Sequence, residues 1–211
     1  MRPGVNLPDR VTALLDFWFG PPGDPGRDQH REIWFRSNPE FDAALHREFL
    51  VDYQAAAAEG LQSWEASPEG ALAAVLLLDQ VPRNIFRKSP RAYATDAPAR
   101  AVAGRALERG FDQMVPPAWR LFFYMPFHHS EDLADQRRSV ALFDALPRNR
   151  DHGGALRRYG CPYIEVIERF GRFPHRNEIL GRQSTAAEVT FMAEVAALRA
   201  SDQSGTDSRS A

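Results

Sequence analysis

An all-α fold of about eight or nine helices is predicted by the spacing of apolar residues and by the signals that start and end helices. Apolar side chains recur near every 3.6 residues along most of the chain, the period of an amphipathic helix. No convincing alternation of apolar and polar residues predicts a strand. A chain of 211 residues can bury a substantial core, and we expect a single domain over residues 1–200.

The first two helices are marked by caps at both ends. Asp9 is placed to cap a helix that runs through Trp18, and a loop rich in glycine and proline follows at 20–26. Asn38 and Pro39 have the types expected at an N-cap and a first helical turn. Gly60 has the type expected just after a helix, so the second helix is predicted to end there.

The middle of the chain is predicted to hold four further helices. The third begins at Ser67, is apolar nearly all round, and is therefore expected to be central and buried, with Pro82 ending it. The others are predicted to begin at a cap residue or a proline and to end near a glycine, a proline or a loss of period: Thr95 to Gly110, Pro116 to Pro126, and Ser130 to Leu146.

The C-terminal part has a less regular pattern. Helical spacing covers 152–170, where Gly160 and Pro162 are expected to kink or split the helix. Thr185 and Glu188 have the spacing of a capping box, which predicts a last helix. The polar residues 201–211 are predicted to form a disordered tail.

Composition limits the classes of function. The net charge of −2 argues against nucleic-acid binding by the chain as a whole. Cys161 is the one cysteine, so neither an internal disulfide nor a cysteine-based metal site is expected. Lys88 is the one lysine, and the other basic residues are arginines, which suit bidentate contacts with anions. A coding bias toward arginine explains the same composition equally simply.

The sequence carries no signal for a membrane or for a common cofactor. It lacks an apolar run of about 18 residues, and its first ten residues lack the apolar core of a signal peptide. We therefore expect a cytoplasmic protein without a membrane partner. Glycine loops for phosphate or dinucleotides and the nucleophile elbow of hydrolases are also missing, so no cofactor is predicted.

Three polar motifs stand out, each beside a proline or a helix cap. They read LLLDQVPRNIFRKSPRAYATD at 76–96, FFYMPFHHSEDLADQ at 122–136 and RFGRFPHRNEILGRQST at 169–185. The third holds four arginines together with two glycines and a proline, residues that a long helix tolerates poorly. We interpret it as an irregular segment, packed by its phenylalanines, that directs hydrogen-bond donors toward a partner, with 172–177 as the best candidate for ligand contact.

In this order, and with Trp18-Phe19 before them, the three motifs resemble a bacterial family known as domain of unknown function 924. The resemblance covers about 10–198. It implies an all-helical, tetratricopeptide-like fold, although no repeat of fixed period is visible in the sequence. The family name implies no reaction.

The chain departs from the family pattern at two positions near these motifs. The family usually has an apolar residue, often methionine, where His128 stands, so only His129 matches its histidine. It tends to have histidine where Tyr163 stands. If that histidine is catalytic in relatives, this protein either lacks the chemistry or uses a phenol instead.

We hypothesise that the three motifs converge on one small-molecule site. Arginine forks with asparagine and histidine suit a carboxylate or phosphate ligand. A histidine paired with a carboxylate can act as a general base near neutral pH. The candidate catalytic residues are His129, His175 and Glu131, and the candidate ligand-binding residues are Asp79, Arg83, Asn84, Arg172, Arg176, Asn177 and Arg182.

Two other interpretations stay open. The motif arginines can instead pair with Asp79, Asp96 or Glu178 and tie helices together. The protein can also be a tetratricopeptide-like module that binds a peptide or a partner protein, with the motifs purely structural. A metal site is not expected, because the HExxH spacing is missing and adjacent helical histidines point about 100° apart. The oligomeric state cannot be predicted.

Overall fold

The computed structural model describes residues 7–35, 37–59, 61–146 and 163–207, and no strand occurs among them. The all-α prediction is confirmed, and the tetratricopeptide-like description fits the helical array in a loose sense. The helices are α1 (Leu7–Phe19), α2 (Pro39–Glu59), α3 (Pro68–Val75), α4 (Val81–Ile85), α5 (Asp96–Glu108), α6 (Pro117–His128), α7 (Leu133–Asp144), α8 (163–170) and α9 (Ala186–Asp207).

Helices α3 and α6 form the centre of the molecule. Every residue from Gly70 to Pro82 is buried, as is every residue from Leu121 to His128. Helix α3 packs against α1, α5 and α6, and α6 also packs against α5 and α7. The prediction of a central, buried third helix is therefore confirmed. Because these two helices pack against each other, the polar residues that follow them, Asp79 after α3 and His129 after α6, lie close together.

Three of the predicted side-chain caps are present. The predicted cap at Asp9 is wrong, because α1 begins at Leu7 and Asp9 lies within its first turn. The Asn38 side chain accepts a hydrogen bond from the Phe41 amide, and the Ser67 hydroxyl accepts one from the Gly70 amide. Thr185 and Glu188 bond each other's backbone amides, as a capping box requires. The predicted cap at Ser130 is wrong. Asp132 caps α7 instead, because its carboxylate accepts from the two amides that open the helix, while Ser130 bonds the amide of Asp132.

Pro82 does not end the third helix as predicted. The chain passes from α3 through one π-helical turn, Leu76–Gln80, directly into α4. Proline has no amide hydrogen, so the carbonyl of Leu78, four residues earlier, loses its usual helical donor. The Thr95 hydroxyl donates to that carbonyl at 2.5 Å, which removes the cost of leaving it unbonded.

Two side chains of α4 also bond the carbonyls of this turn. Arg83 donates to the Asp79 carbonyl at 2.7 Å, and Asn84 donates to the Gln80 carbonyl at 2.9 Å. Wide π turns of this kind are frequent at functional sites because they change the direction of neighbouring side chains. The motif residues after Pro82 therefore stabilise the turn that carries Asp79.

Other boundaries also differ from the predictions. Pro126 lies inside α6, which ends at His128 and not at the proline. Helix α9 extends to Asp207, beyond the predicted start of a disordered tail at Ser201. The tail itself and the single-domain boundary stay predictions, and Gly160, Cys161 and Pro162 lie outside the described residues. Within those residues, no helix combines the length and apolar character that crossing a membrane requires.

Candidate functional site

Asp79 is the centre of the candidate site. Its side chain is fully buried in the π turn and accepts hydrogen bonds from two other side chains. His129 Nδ1 lies 2.9 Å from Oδ1 and 3.0 Å from Oδ2, and Gln80 Nε2 donates to Oδ2 at 2.6 Å. Arg83 lies 3.2 Å from Oδ1. We call these four residues, Asp79, Gln80, Arg83 and His129, the cavity wall.

A second carboxylate joins the cavity wall to the third motif. Asp96, in the first turn of α5, lies 2.9 Å from Arg83 and 3.4 Å from Arg176. The buried Arg176 also donates to the His129 carbonyl at 2.9 Å and lies over the ring of Tyr93. The three motifs therefore do converge around Asp79 and His129. Arg176 reaches them by bonding the backbone and Asp96.

A cavity of about 350 Å³ opens beside the cavity wall. This volume falls in the range of sites for small ligands. Aromatic and polar side chains share the lining, which consists of Trp34, Phe35, Gln80, Arg83, Asn84, Arg87, Met125, His128, His129, Phe143 and Tyr163. None of these described lining residues is acidic, and two are arginines.

The hydrogen bonds and charges set the protonation of the cavity wall. Burial raises the pKa of Asp79, but the charge of Arg83 and the bonds from His129 and Gln80 outweigh it and hold that pKa below its usual range. Burial and the Arg83 charge lower the pKa of His129, which outweighs the opposing effect of Asp79. We therefore assign an ionised Asp79 and a neutral His129.

This assignment fixes the tautomer of His129. An ionised carboxylate only accepts hydrogen bonds, so Nδ1 of His129 must carry the proton and Nε2 must carry the lone pair. Nε2 has no hydrogen-bond partner among the described residues, and the ring lines the cavity. An imidazole held by a carboxylate in this way is oriented as a proton acceptor.

His128, the neighbour of His129, is a second histidine of the cavity lining. Its ring is buried and stacks on Tyr163, with the ring centroids 4.3 Å apart and the planes within 12°. Its Nδ1 is buried without a hydrogen-bond partner. Burial lowers the pKa of His128 to about 3, so this ring is neutral near pH 7. The two positions at which the chain departs from the family pattern therefore contact each other.

Two further arginines of the third motif, Arg172 and Arg182, form a separate group of ion pairs, which we call the C-terminal cluster (Glu131, Arg172, Arg182 and Glu188). Arg182 donates to both oxygens of Glu131 at 2.7 and 2.9 Å, and the Phe173 amide donates to Glu131 at 2.8 Å. Arg172 donates to both oxygens of Glu188 at 2.6 and 2.8 Å. This cluster joins the segment before α7 to the segment before α9.

The pKa of Glu131 agrees with this structural arrangement. Burial raises the pKa of Glu131, while hydrogen bonds from Arg182 and the Phe173 amide lower it by more, so the carboxylate is ionised at neutral pH. A general acid would need a raised pKa instead. Each of its oxygens already accepts at least one hydrogen bond.

The structure divides the predicted site residues into two groups. The cavity lining includes His129, Arg83 and Asn84, and Asp79 lies directly behind it. The described cavity lining does not include His175, Glu131, Arg172, Arg176, Asn177 or Arg182. His175 is exposed, with its ring 6.4 Å from that of Tyr163, and Asn177 donates to Ser184. The assignment of these six residues outside the lining as catalytic or ligand-binding stays a prediction.

Some lining residues were not predicted as site residues. The second Trp-Phe pair, Trp34 and Phe35, and the α7 residue Phe143 form much of the aromatic surface. Recurrence of the Trp-Phe pair was a visible signal, but an aromatic pair in a helical protein most often indicates core packing. Gln80 and Arg87 belong to the first motif and were visible candidates.

No group of three or more histidine, cysteine, aspartate or glutamate side chains in the described part of the chain is arranged to hold a metal ion. Asp79 and Asp96 both pair with the lining residue Arg83, and Asp42 pairs with the lining residue Arg87.

Fold and site together define an all-helical protein with a cavity beside a carboxylate-oriented histidine. The chain belongs to the family described as bacterial protein of unknown function (DUF924), whose model matches residues 14–196. It is similar in structure to ATU0120, a protein of unknown function from Agrobacterium tumefaciens, with a TM-score of 0.78 and 38% sequence identity. That match covers 90% of this chain and 99% of the other. No functionally curated protein matches the sequence significantly.

Proposed function

We propose that this protein binds a small anionic molecule in the cavity and that His129 accepts a proton from it. The observation that carries the proposal is the bond from His129 Nδ1 to the buried Asp79, which leaves Nε2 as an acceptor on a cavity-lining ring. A fixed imidazole of this kind is the usual arrangement of a general base. The proposed reaction class is acid–base catalysis on the bound molecule.

The charge of the lining favours an anion. Arg83 and Arg87 line the cavity, while the described lining contributes no carboxylate. Arg83 is held by Asp79 and Asp96, whereas Arg87 is more exposed and pairs with Asp42. Asn84 accepts a hydrogen bond from Arg87 at 2.8 Å and fixes its position. We therefore assign the anionic group of the ligand to the Arg87 side of the cavity.

The aromatic part of the lining favours a ligand with an apolar portion. Trp34, Phe35, Phe143 and Tyr163 offer ring surfaces around the cavity. Pockets for small molecules combine such apolar surface with a few polar groups that fix orientation. A molecule with an anionic end and a compact apolar body satisfies both parts of the lining.

A thermal-denaturation screen tests this proposal. We expect at least one member of a panel of carboxylates and phosphate esters to raise the melting temperature of the wild-type protein, because a ligand that binds only the folded state stabilises it by mass action. The variant Arg87→Ala should reduce that rise. The matched control is Arg47→Ala, which removes an arginine that is exposed on α2 and pairs with its neighbour Glu48.

His129→Asn separates binding from proton transfer. It removes the imidazole acceptor, so the bound ligand should no longer be converted even where it still raises the melting temperature. If neither the wild-type protein nor Arg47→Ala responds to any anion of the panel, the proposed function is wrong.

The peptide-binding alternative has one specific observation in its favour. Helix α9 exposes Val189 and Leu198, and a smaller cavity of about 240 Å³ lies between α8 and α9, lined in part by Val166, Phe191 and Val195. A repeat-type peptide groove spreads its contacts along successive helices. Here the large exposed apolar residues in the described part of the chain are few and scattered, with only Val189 and Leu198 on α9 and Val51, Met114 and Leu180 elsewhere, so this alternative has less support.

A further inference from the structure

The direction of the hydrogen bonds around Asp79 restricts the ligand further, provided that the proposed function holds. Asp79 accepts from His129 Nδ1 and from Gln80 Nε2, and its carboxylate has no exposed surface. A carboxylate without a proton can only accept, so both neighbours must turn a donor toward it. Each neighbour has one donor end and one acceptor end in this state.

Both acceptor ends are therefore left for the cavity. His129 keeps the lone pair of Nε2, and the amide of Gln80 keeps the oxygen Oε1. Both side chains line the cavity, and neither atom has a hydrogen-bond partner among the described residues. A ligand that fills this end with an apolar group, or with another acceptor, would leave these groups unpaired at a cost in binding.

The ligand must therefore bring a donor, and the surrounding charge selects its type. An ammonium group would lie near the guanidinium group of Arg83 and would find no carboxylate among the described lining residues. Asp79 does not compensate, because it is fully buried and already bonded to Arg83. A hydroxyl group donates without adding positive charge.

We infer that the ligand is a hydroxylated organic anion. Its single hydroxyl hydrogen is shared, in a three-centre bond, between Oε1 of Gln80 and Nε2 of His129, and its anionic group lies toward Arg87. The hydroxyl is also the group from which His129 would accept a proton. The substrate class is thus a hydroxy acid with a compact apolar body, in contrast to the matching amino acid or unsubstituted acid.

Matched sets of three ligands test the inference. Phenyllactate, phenylpropionate and phenylalanine share one skeleton and differ in a single hydroxyl, hydrogen or ammonium group. Hydroxyisocaproate, isocaproate and leucine form the same set on an aliphatic skeleton. Calorimetric titration of the wild-type protein with each should give a hydroxy acid that binds about tenfold more tightly than its unsubstituted partner, and no gain for the amino acid.

The variant Gln80→Met tests the role of the Gln80 acceptor. It keeps the length of the side chain but removes the acceptor, so the ratio of affinities between the hydroxy acid and the unsubstituted acid should fall toward one. This ratio is insensitive to a general loss of folded protein, because both ligands report on the same sample. The control variant Arg47→Ala should keep the wild-type ratio.

The outcomes separate this inference from the proposed function. Equal binding of hydroxy and unsubstituted acids, or a preference for the amino acid, overturns the inference while an anion-binding cavity still stands. If another anion of the screening panel binds but no hydroxy acid of either set does, the inference is again overturned. If no anion binds at all, the proposed function and the inference are both overturned.

Discussion

The cavity wall and the C-terminal cluster use the same residue types for different purposes. Both consist of carboxylates that accept hydrogen bonds from cationic or polar side chains. In the C-terminal cluster, Arg182 and Arg172 each meet a carboxylate with two donors, and the backbone bonds the same oxygens. Each of the four oxygens of Glu131 and Glu188 therefore already accepts a hydrogen bond.

In the cavity wall, His129 and Gln80 each keep one polar atom that makes no hydrogen bond with the described residues. Asp79 holds one end of His129 and one end of Gln80, and the other end of each is available at the cavity. The direction of hydrogen bonding, more than the number of arginines and histidines, therefore distinguishes a candidate site from a structural ion-pair cluster.

The largest expected difference between the two regions is in stability. Asp79→Asn should lower the free energy of unfolding by about 3 kcal/mol, because it removes the fully buried carboxylate of the two that pair with Arg83 and leaves only Asp96. Glu131→Gln should lower it by at most about 1 kcal/mol, because the Glu131–Arg182 pair is partly exposed. Urea denaturation at neutral pH measures both, and equal losses would contradict the distinction.

The fold was largely predictable because it depends on local patterns. Helical spacing, Asn38, Ser67 and the Thr185–Glu188 box act over a few residues, so the sequence shows them directly. Pro82 misled the prediction because its effect depends on a distant residue. The Thr95 hydroxyl bonds the carbonyl that the proline leaves without a donor, and the helix continues.

The site was only partly predictable because its geometry depends on contacts between distant segments. The pairing of Asp79 with His129 spans 50 residues, and residue type alone does not reveal it. Glu131 and Arg182 looked equally suited to a ligand, yet they lie 51 residues apart and bond each other. Sequence patterns identified the motifs, while the direction of each side chain required the packed structure.

The pH dependence of the free energy of unfolding tests whether His128 is buried as a neutral ring. Burial lowers the pKa of His128 to about 3, whereas a histidine in the unfolded chain titrates near pH 6.5. Between these values the unfolded chain binds a proton that the folded chain does not. His128 therefore lowers the free energy of unfolding by about 1.4 kcal/mol for each pH unit below about 6.5.

The variant His128→Met should reduce this slope between about pH 6 and 4.5. Over that interval, the free energy of unfolding of the variant should fall by roughly 2 kcal/mol less than that of the wild-type protein. The interval lies above the ordinary pKa of the carboxylates, so Asp79 and Glu131 contribute little to it. His129, whose pKa is also lowered, retains its own contribution of the same sign. Urea denaturation across the interval provides the measurement, and an unchanged slope would show that His128 is not buried as a neutral ring.

Removing the hydrogen bond from Thr95 to the π turn should cause a loss of stability of intermediate size. Thr95→Val preserves the shape of the side chain but leaves the buried Leu78 carbonyl without a donor, and should cost about 1–3 kcal/mol. Thr185→Ala removes an exposed cap in the segment before α9 and should cost about 1 kcal/mol. Thermal and urea denaturation compare the two. A smaller loss for Thr95→Val would mean that another group bonds the carbonyl.

The smallest stability effect, and the clearest functional contrast, is expected for Arg87→Ala and Arg172→Ala. The Arg87–Asp42 pair is exposed enough that its loss should change the free energy of unfolding by less than about 1 kcal/mol. Yet Arg87 lines the cavity, so its removal should weaken binding of an anionic ligand by about tenfold. Arg172 lies in the C-terminal cluster, bonded to Glu188, so Arg172→Ala should leave that affinity unchanged. Calorimetric titration of both variants with the same anion decides the matter. Because both substitutions remove one arginine from a carboxylate pair, equal losses of affinity would show that net charge, and not the cavity, governs binding.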